Sequence, residues 1–171
     1  KVDPLPLVVM TPKSLLRHPR AGSSLNDLTN GGWQPVIDDA DAVARMSVGR
    51  LVLCSGKVAV DLATSERRKS ADWVAVARLE QLYPFPAEEV ERIIDRYQNL
   101  REVVWLQEEP QNMGAWSYAM PHLTLLLAAR DLPLRYIGRP ERASTAEGAH
   151  EAHETEQARI VSEAFSGERP A

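Results

Sequence analysis

Two adjacent carboxylates, Glu108 and Glu109, occupy the position in this sequence that most suggests chemistry. They follow the apolar run 103–106, which predicts a buried strand, and they precede Pro110 and Gly114, which predict a turn. Open α/β sheets bind ligands at the carboxyl ends of their strands. An ordinary strand–loop–helix junction has the same pattern. Adjacent side chains of an extended segment point in opposite directions, so we expect one carboxylate to face a cleft and the other to bond locally.

Two groups of basic residues could bind anions. The turn Ser55-Gly56-Lys57 follows the strand predicted at Arg50–Cys54, and it offers backbone N–H groups, a hydroxyl and an ammonium group. It lacks the remainder of a Walker motif, and most turns of this type bind nothing. Lys13 and Arg17 lie on a short helical turn that we predict after Thr11-Pro12. That turn is either a solvated face or a site for an anion or an acidic partner.

The remaining candidate residues are histidines and one cysteine. His150 and His153 share a helix face and could form a metal pair, but an exposed helix start is the more typical interpretation. The single cysteine, Cys54, excludes an internal disulfide, and we expect it to be a small buried hydrophobe. No metal-ligand spacing and no complete catalytic set is predicted.

Length and composition restrict the class of protein. The 171 residues suit a single domain with a large core, and the formal net charge of −4 argues against a nucleic-acid partner. The apolar runs are too short to cross a membrane. One cysteine and the lack of a secretory segment indicate the cytoplasm. The chain begins at Lys1 with a strand-like pattern, so we expect a fragment of a larger protein.

The order of predicted elements indicates an α/β fold. Helices are expected between and after the later strands, which gives three layers: a mostly parallel five-stranded sheet with helices on both faces. We predict a single domain, 1–171, consisting of a strand and a long packed loop over 1–49, a βα core over 50–165 and a frayed tail over 166–171. The predicted strands are Leu5–Met10, Arg50–Cys54, Trp73–Leu79, one beginning at Val103, and Leu132–Ile137.

Within the long loop, Leu25 and Leu28 predict one helical turn after Ser23-Ser24. Trp33 is expected either to anchor this loop or to face a neighbouring subunit. The helix that follows Pro86 should bury one stripe of side chains at i, i+3, i+4 and i+7. That stripe consists of Val90, Ile93, Ile94 and Tyr97.

Five runs together resemble the C-terminal domain of 2-oxoglutarate dehydrogenase, the thiamine-diphosphate-dependent first component of its complex. The likeness extends from Leu5 to Phe165 and is weakest over 21–49. His153 falls at a histidine that the family tends to have, whereas Met113 replaces a glutamine often found in its Asn-Gln-Gly-Ala-Trp motif. The runs are PLVVMTPKSLLRHP, LCSGKVAVDL, VARLEQLYPFP, VWLQEEPQNMGAW and YIGRPERASTAEG.

The resemblance implies a transketolase C-terminal-domain-like fold that helps to assemble a homodimer and shapes the edge of the active-site region. The full-length enzyme of the tricarboxylic acid cycle would decarboxylate 2-oxoglutarate on thiamine diphosphate and Mg²⁺, which bind in the preceding domains. It would pass the succinyl group to the lipoyl arm of the dihydrolipoyl succinyltransferase, in a complex with dihydrolipoyl dehydrogenase. This segment would hold no catalytic, cofactor or metal residues of its own.

The resemblance also implies two groups of site residues. Some actinobacterial relatives bind acetyl-CoA as an allosteric activator near this domain. Cations could hold its phosphates by charge-assisted bonds. The expected effector residues are Lys13, Ser14, Arg17, Arg50 and Lys57. The expected interface residues are Trp33, Glu108, Glu109, Asn112, Trp116 and His153.

Two alternatives of other classes remain open. The first is a free-standing α/β module that binds a nucleotide or CoA through Ser55-Gly56-Lys57 and the loop 108–114. The second is a small independent enzyme that uses Glu108 or Glu109 as a base. A long open reading frame upstream of Lys1 that carries thiamine-site motifs would favour the dehydrogenase, and turnover without thiamine diphosphate would favour the independent enzyme.

Overall fold

The structure is a computed structural model that describes residues 4–42 and 45–167. The chain divides into two compact units, Lys1–Gly32 and Trp33–Ala171, which are described separately below. The expectation of a single domain over 1–171 stays a prediction.

Over its described residues, 4–32, the first unit contains three short helical segments. Its α-helix, α1 (Leu25–Asn30), begins with a reciprocal cap in which the Ser24 side chain accepts from the Asp27 N–H and the Asp27 carboxylate accepts from the Ser24 N–H. The helical turn predicted after Ser23-Ser24 is thus confirmed. Lys13–Leu15 and Pro19–Ala21 are single turns of 3₁₀-helix.

The strand predicted at Leu5–Met10 is wrong. These residues have no partner strand among the described residues, and their apolar side chains are exposed. An apolar β-branched run forms a strand only where another strand accepts its hydrogen bonds. The 3₁₀ turn that follows has Pro12 at its N-cap position and no side-chain cap.

The second unit is built on a five-stranded sheet in the order β1-β3-β2-β4-β5. The inner strands are nearly continuous apolar runs because they are covered on both faces. β1 is antiparallel to β3 and the other pairs are parallel, which confirms a mostly parallel five-stranded sheet. The strands are β1 (Val36–Ile37), β2 (Arg50–Cys54), β3 (Val74–Leu79), β4 (Glu102–Pro110) and β5 (Leu134–Arg139).

Helices cover both faces of this sheet, as predicted. α3 and α4 pack on one face, and α2 and α5 pack on the other. The predicted stripe of α3 is confirmed, since all four of its side chains are buried. The helices are α2 (Val58–Thr64), α3 (Ala87–Arg96), α4 (Trp116–Ala128) and α5 (His150–Ala164), with 3₁₀ turns at Arg45–Ser47 and Glu66–Ser70.

α2 ends at Thr64, where Ser65 adopts an extended conformation and caps the 3₁₀ turn that follows. In the tail predicted to fray, the Ser166 carbonyl accepts a hydrogen bond from Arg50 at 2.7 Å, and residues 168–171 lie outside the described residues.

Asp39 closes the outer edge of β3 beyond the two-residue strand β1. Its carboxylate accepts a hydrogen bond from the Val76 N–H at 2.8 Å and pairs with Arg68, and its side chain is only 4% exposed. A side chain therefore takes the place that a longer strand would fill. This pairing fixes the segment that leads into β2, which the sequence predicted only as a packed loop.

We expect Asp39→Ala to lower the free energy of unfolding by about 2 kcal/mol, because it leaves the buried N–H of Val76 without an acceptor and removes the nearer carboxylate from the Arg68 guanidinium, which retains only Asp41 at 3.9 Å. Urea unfolding measures the change. The neighbouring Asp41, whose side chain is 45% exposed, provides the matched Asp41→Ala control. Equal losses in the two variants would contradict the assignment.

Candidate functional site

The carboxyl ends of β2, β4 and β5 lie side by side and carry a set of paired polar side chains, here called the carboxyl-edge network. The residues come from the β2–α2 turn, the end of β4, the end of β5 and the first turns of α5. The network consists of Lys57, Asp61, Glu108, Arg139, Arg142, Glu147, His153 and Gln157.

Gln107 organises the turn that begins at the end of β4. The register of β4 with β5 shifts between Leu106 and Pro110, as in a β-bulge. The buried Gln107 oxygen accepts from the Trp105 indole N–H and from the Trp116 backbone N–H, both at 3.0 Å. Its amide nitrogen donates to the carbonyl of Met113 at 2.8 Å and also to those of Glu109 and Pro110. One side chain therefore makes hydrogen bonds to five polar groups in and beside the turn and sets the start of α4.

Gly114 is required by this turn. Its φ of +65° lies in the left-handed region, and an added Cβ would lie 3.1 Å from the side-chain amide atoms of Gln107. The glycine thus lets the backbone approach the amide that organises the turn.

Asn112 joins this turn to the loop after β5. Its side-chain amide donates to the Arg142 carbonyl at 2.9 Å, and its oxygen accepts from the Arg142 N–H at 3.1 Å. The side-chain amide thus makes the pair of hydrogen bonds that a peptide group of a neighbouring strand would make. Asn112, predicted at an interface, therefore has an internal role in this structure.

Arg139 and Glu147 form the buried centre of the network. The two side chains are 3% and 5% exposed, and their charged atoms are 2.6 Å apart. Arg139 also donates to the Glu108 carbonyl, while Arg142 contacts Glu147 at 3.0 Å. The hydrogen bond from Arg139 lowers the pKa of Glu147 below its usual range. A buried pair with this many partners fixes the loop 140–149 against the sheet.

Glu108 and Glu109 differ in environment, as predicted for neighbours on an extended segment. The Glu108 carboxylate is half-buried and accepts from Gln157 at 2.9 Å, with the Lys57 ammonium 3.9 Å away. Gln157 also donates to Asp61 at 2.9 Å, and Lys57 pairs with the same carboxylate. Glu109 is exposed. The two carboxylates therefore do not act as a pair.

Burial raises the pKa of Glu108 above its usual range, and the nearby Lys57 opposes this shift. A raised folded-state pKa favours the protonated form, so this contribution to stability is present below the unfolded pKa, near 4.3, and is lost as pH rises through the folded value. We expect Glu108→Gln to raise the melting temperature at pH 8 more than at pH 4. Thermal unfolding at both values measures this.

The exposed Glu109 provides the matched control for that prediction. Glu109→Gln should change the melting temperature little at either pH. A larger effect of Glu108→Gln at pH 4 than at pH 8 would show that its charge is stabilised rather than penalised.

Arg50, predicted to bind an effector, is buried at the opposite end of β2 and is engaged internally. Its guanidinium contacts Glu102 at 2.6 Å and donates to the carbonyls of Ala164 and Ser166 at 2.9 and 2.7 Å. Its carbon centre lies 4.7 Å from the Trp73 ring centroid. Only 4% of the residue is exposed. Arg50 therefore fastens the end of α5 to the sheet and offers no open face to a phosphate.

The other predicted effector residues belong to separate units. Lys13, Ser14 and Arg17 are exposed in the first unit. Lys57 belongs to the second unit, where it is paired with Asp61. Within the second unit, Arg50 and Lys57 lie at opposite ends of β2, so the structure does not bring these two residues together.

The remaining predicted interface residues are distributed around the second unit. Trp33 is 69% exposed, although its indole N–H donates to the Gln81 side chain at 3.0 Å. It therefore anchors its segment and still presents most of its ring. Trp116 is half-buried against Tyr136, and His153 is half-buried beside Arg139, with a nitrogen–nitrogen distance of 3.3 Å.

The histidines and the cysteine have structural partners. His150 contacts Glu154 at 3.2 Å, while His153 lies 3.6 Å from Glu147. Within residues 4–42 and 45–167, no group of three His, Cys, Asp or Glu side chains could hold a metal ion. Cys54 is fully buried, as predicted, and burial raises the pKa of its thiol to about 12. Across the same described ranges, none of the helices has the length and apolarity needed to span a membrane.

Sequence reasoning missed the residues that hold this edge together. Gln107 directly follows an apolar run, and this position in the sequence is typical of an ordinary strand residue. Arg139 and Glu147 are eight residues apart in a loop-rich segment, so their pairing has no local pattern. A weak signal existed for α5, where His153 and Gln157 are spaced four residues apart and share one helix face.

The comparisons with known proteins agree with this arrangement. The profile described as 2-oxoglutarate dehydrogenase C-terminal matches residues 22–165. The 2-oxoglutarate dehydrogenase E1 component of Bacillus pumilus is 49% identical over 164 residues, and that of Exiguobacterium sp. is 47% identical over 164 residues. Each match covers 94% of this chain but 17% of the relative. The Geobacillus sp. protein is 48% identical over 91% of this chain and 16% of its own. This chain therefore belongs to the 2-oxoglutarate dehydrogenase C-terminal family.

Proposed function

We propose that this chain is the C-terminal assembly and regulatory domain of a 2-oxoglutarate dehydrogenase E1 component. The match over residues 22–165 carries the proposal. The carboxyl edge of the sheet supports it, because the carboxylates of Asp61, Glu108 and Glu147 are each paired with side chains of this chain. An edge filled in this way provides a rigid surface for neighbouring domains.

The activity of the full-length protein is part of the same proposal. It decarboxylates 2-oxoglutarate with thiamine diphosphate and Mg²⁺ and transfers the succinyl group to the lipoyl arm of the succinyltransferase, in the tricarboxylic acid cycle. The homodimer, the partnership with dihydrolipoyl dehydrogenase and the cytoplasmic location belong to this proposal as well. The proposal places thiamine diphosphate and Mg²⁺ in the domains that precede this segment in the full-length protein.

The apolar run Leu5–Met10 supports the association with preceding domains. Leu5, Leu7 and Met10 are each more than four-fifths exposed. The run lies before residue 22, where the family match begins. An exposed extended apolar segment gains stability when a neighbouring sheet covers it. We assign that cover to the domain that precedes this segment in the longer relatives.

The function is tested on the full-length protein. It should release CO₂ from 2-oxoglutarate only with thiamine diphosphate, and it should form NADH when the other two components are added. Deletion of the segment that corresponds to residues 33–167 should abolish dimerisation in sedimentation experiments. Decarboxylation of 2-oxoglutarate without thiamine diphosphate, or a dimer unaffected by the deletion, would contradict the respective parts of the proposal.

Acetyl-CoA as an effector remains a proposal, now restricted to the exposed residues Lys13, Ser14 and Arg17. Calorimetry with the full-length protein should show weaker acetyl-CoA binding in Lys13→Ala. The exposed Lys69, which pairs with Glu66, provides the control Lys69→Ala. Equal affinities in the two variants would remove Lys13 from the site.

A further inference from the structure

We propose that Ser70 is a phosphorylation site for a serine kinase that selects basic residues before its target. Ser70 is the last residue of the 3₁₀ turn Glu66–Ser70, which connects α2 to β3. The turn has no part in the carboxyl-edge network. The inference goes beyond the proposed function and does not depend on it.

The three cations that directly precede Ser70 are the first observation. Residues 67–69, Arg-Arg-Lys, place positive charges at the positions −3, −2 and −1. No other serine or threonine of the sequence follows three consecutive cations, and Ser23 and Thr145 each have a single arginine at −3. Carboxylates in the groove of a kinase bind arginines at such fixed positions by charge-assisted hydrogen bonds. The sequence around Ser70 therefore suits a kinase of this class.

The accessibility of the turn is the second observation. Ser70 and Arg67 are both exposed, and the Ser70 hydroxyl donates only to the Arg67 carbonyl, at 3.0 Å. Within the part of the chain that the structure describes, the Arg67 side chain makes no hydrogen bond or ion pair. The target hydroxyl and the arginine at −3 are therefore both open to a kinase.

The turn can also open into the extended form that a kinase groove binds. None of its side chains is buried. Its one half-buried side chain, Arg68, pairs with Asp39, and the Arg68 N–H donates to the Ser65 carbonyl at 3.1 Å. Segments with few buried contacts open locally at a low free energy. Opening of this turn would release Arg68, the cation at −2, for the kinase.

The geometry of the turn also stabilises the product. A 3₁₀-helix has three residues per turn, so residues at i and i+3 lie one above the other. Arg67 and Ser70 have this spacing, and a phosphate on Ser70 therefore lies within reach of the unpaired Arg67 guanidinium. The turn contains three cations and the carboxylate of Glu66, a formal charge of +2. A phosphoserine carries about −1.5 to −2, so the modification cancels this positive surface.

The reaction is a phosphoryl transfer from ATP. A bond forms between the Ser70 hydroxyl oxygen and the γ-phosphorus, and the bond from that phosphorus to the β–γ bridging oxygen breaks. ADP leaves with the electron pair of the broken bond, and a carboxylate of the kinase accepts the hydroxyl proton.

Phosphorylation of the native full-length protein tests the proposal. The probe is ATP with the catalytic subunit of cyclic-AMP-dependent protein kinase, which selects arginine at −3 and −2. Mass spectrometry should locate one phosphate per chain at Ser70, and Ser70→Ala should lose this uptake. Arg67→Gln should lower kcat/KM at least ~10-fold, because the complex with the kinase loses a charge-assisted contact. The matched control Lys69→Gln removes an equally exposed cation at −1 and should lower kcat/KM less than ~5-fold.

Ser23 is the internal control, because it is exposed, lies outside the helices and has only Arg20 at −3. Preferential uptake at Ser23 would show that accessibility rather than the three cations selects the target, and it would overturn the proposal. Equal kcat/KM values for Arg67→Gln and Lys69→Gln would do the same. Uptake at Ser70 only after the protein has been unfolded by heat would show that the native turn is closed to the kinase, which also overturns it.

Discussion

Gln107→Leu is expected to lower the free energy of unfolding by about 4 kcal/mol, since it leaves several buried donors and acceptors unpaired at once. The Trp105 indole and the Trp116 N–H lose their acceptor, and the Met113 carbonyl loses its donor. The carbonyls of Glu109 and Pro110 each keep a second donor. Leucine has a similar volume, so the loss would come from the hydrogen bonds rather than from a cavity. Urea unfolding followed by tryptophan fluorescence measures it.

The matched control is Gln111→Leu in the same turn. Only the Gln111 backbone N–H makes a hydrogen bond that holds the turn, at 3.0 Å to the Arg139 carbonyl. The substitution should therefore change stability by less than ~0.5 kcal/mol, as for most surface positions. If both variants lost the same stability, Gln107 would not organise the turn.

Arg50→Met is expected to cost about 3 kcal/mol, because breaking this buried ion pair leaves the Glu102 charge with only the half-exposed Arg135 as a partner. Glu102 would lose its contact at 2.6 Å, and the carbonyls of Ala164 and Ser166 at the end of α5 would lose their donor. Methionine retains the packing on Trp73. Urea unfolding gives the change in free energy, and hydrogen exchange should show the last turn of α5 opening first.

Arg135→Met provides the control, because Arg135 contacts the same Glu102 at 3.3 Å while its side chain is 44% exposed. An exposed pair contributes roughly 0–1 kcal/mol, so a small loss is expected. A weak effect of Arg50→Met together with weaker acetyl-CoA binding in the full-length protein would restore Arg50 as an effector residue.

The parts of the fold that were predictable from the sequence are those with a regular hydrophobic period. The stripe of α3 and the apolar runs of β2, β3 and β4 were found because burial on one or both faces imposes such a period. β1 was missed because two residues carry no period at all. The run Leu5–Met10 was predicted as a strand because its apolar and β-branched residues favour pairing with another strand. Such a pattern gives no information on whether a partner strand is present.

The candidate site was less predictable because its interactions are distant in sequence. The alternation of side chains along an extended segment correctly predicted different environments for Glu108 and Glu109. Gln107 precedes them and was overlooked, since its importance arises only when the turn folds back over its amide. Arg50 has the sequence appearance of a free cation at a strand start, and its partners on α5 lie more than a hundred residues away.

Asp39 has a consequence for solubility as well as for folding. The edge strand of a sheet exposes a row of unpaired donors and acceptors that can recruit strands from other molecules. β1 pairs with Leu79 and Arg78 of β3. Farther along the same edge, the Asp39 carboxylate accepts a hydrogen bond from the Val76 N–H. A carboxylate fixed at that point provides no backbone groups with which an incoming strand could continue the hydrogen bonds of the sheet. The carboxylate thereby protects the open side of the sheet from aggregation, at a place where the chain provides only two residues of strand.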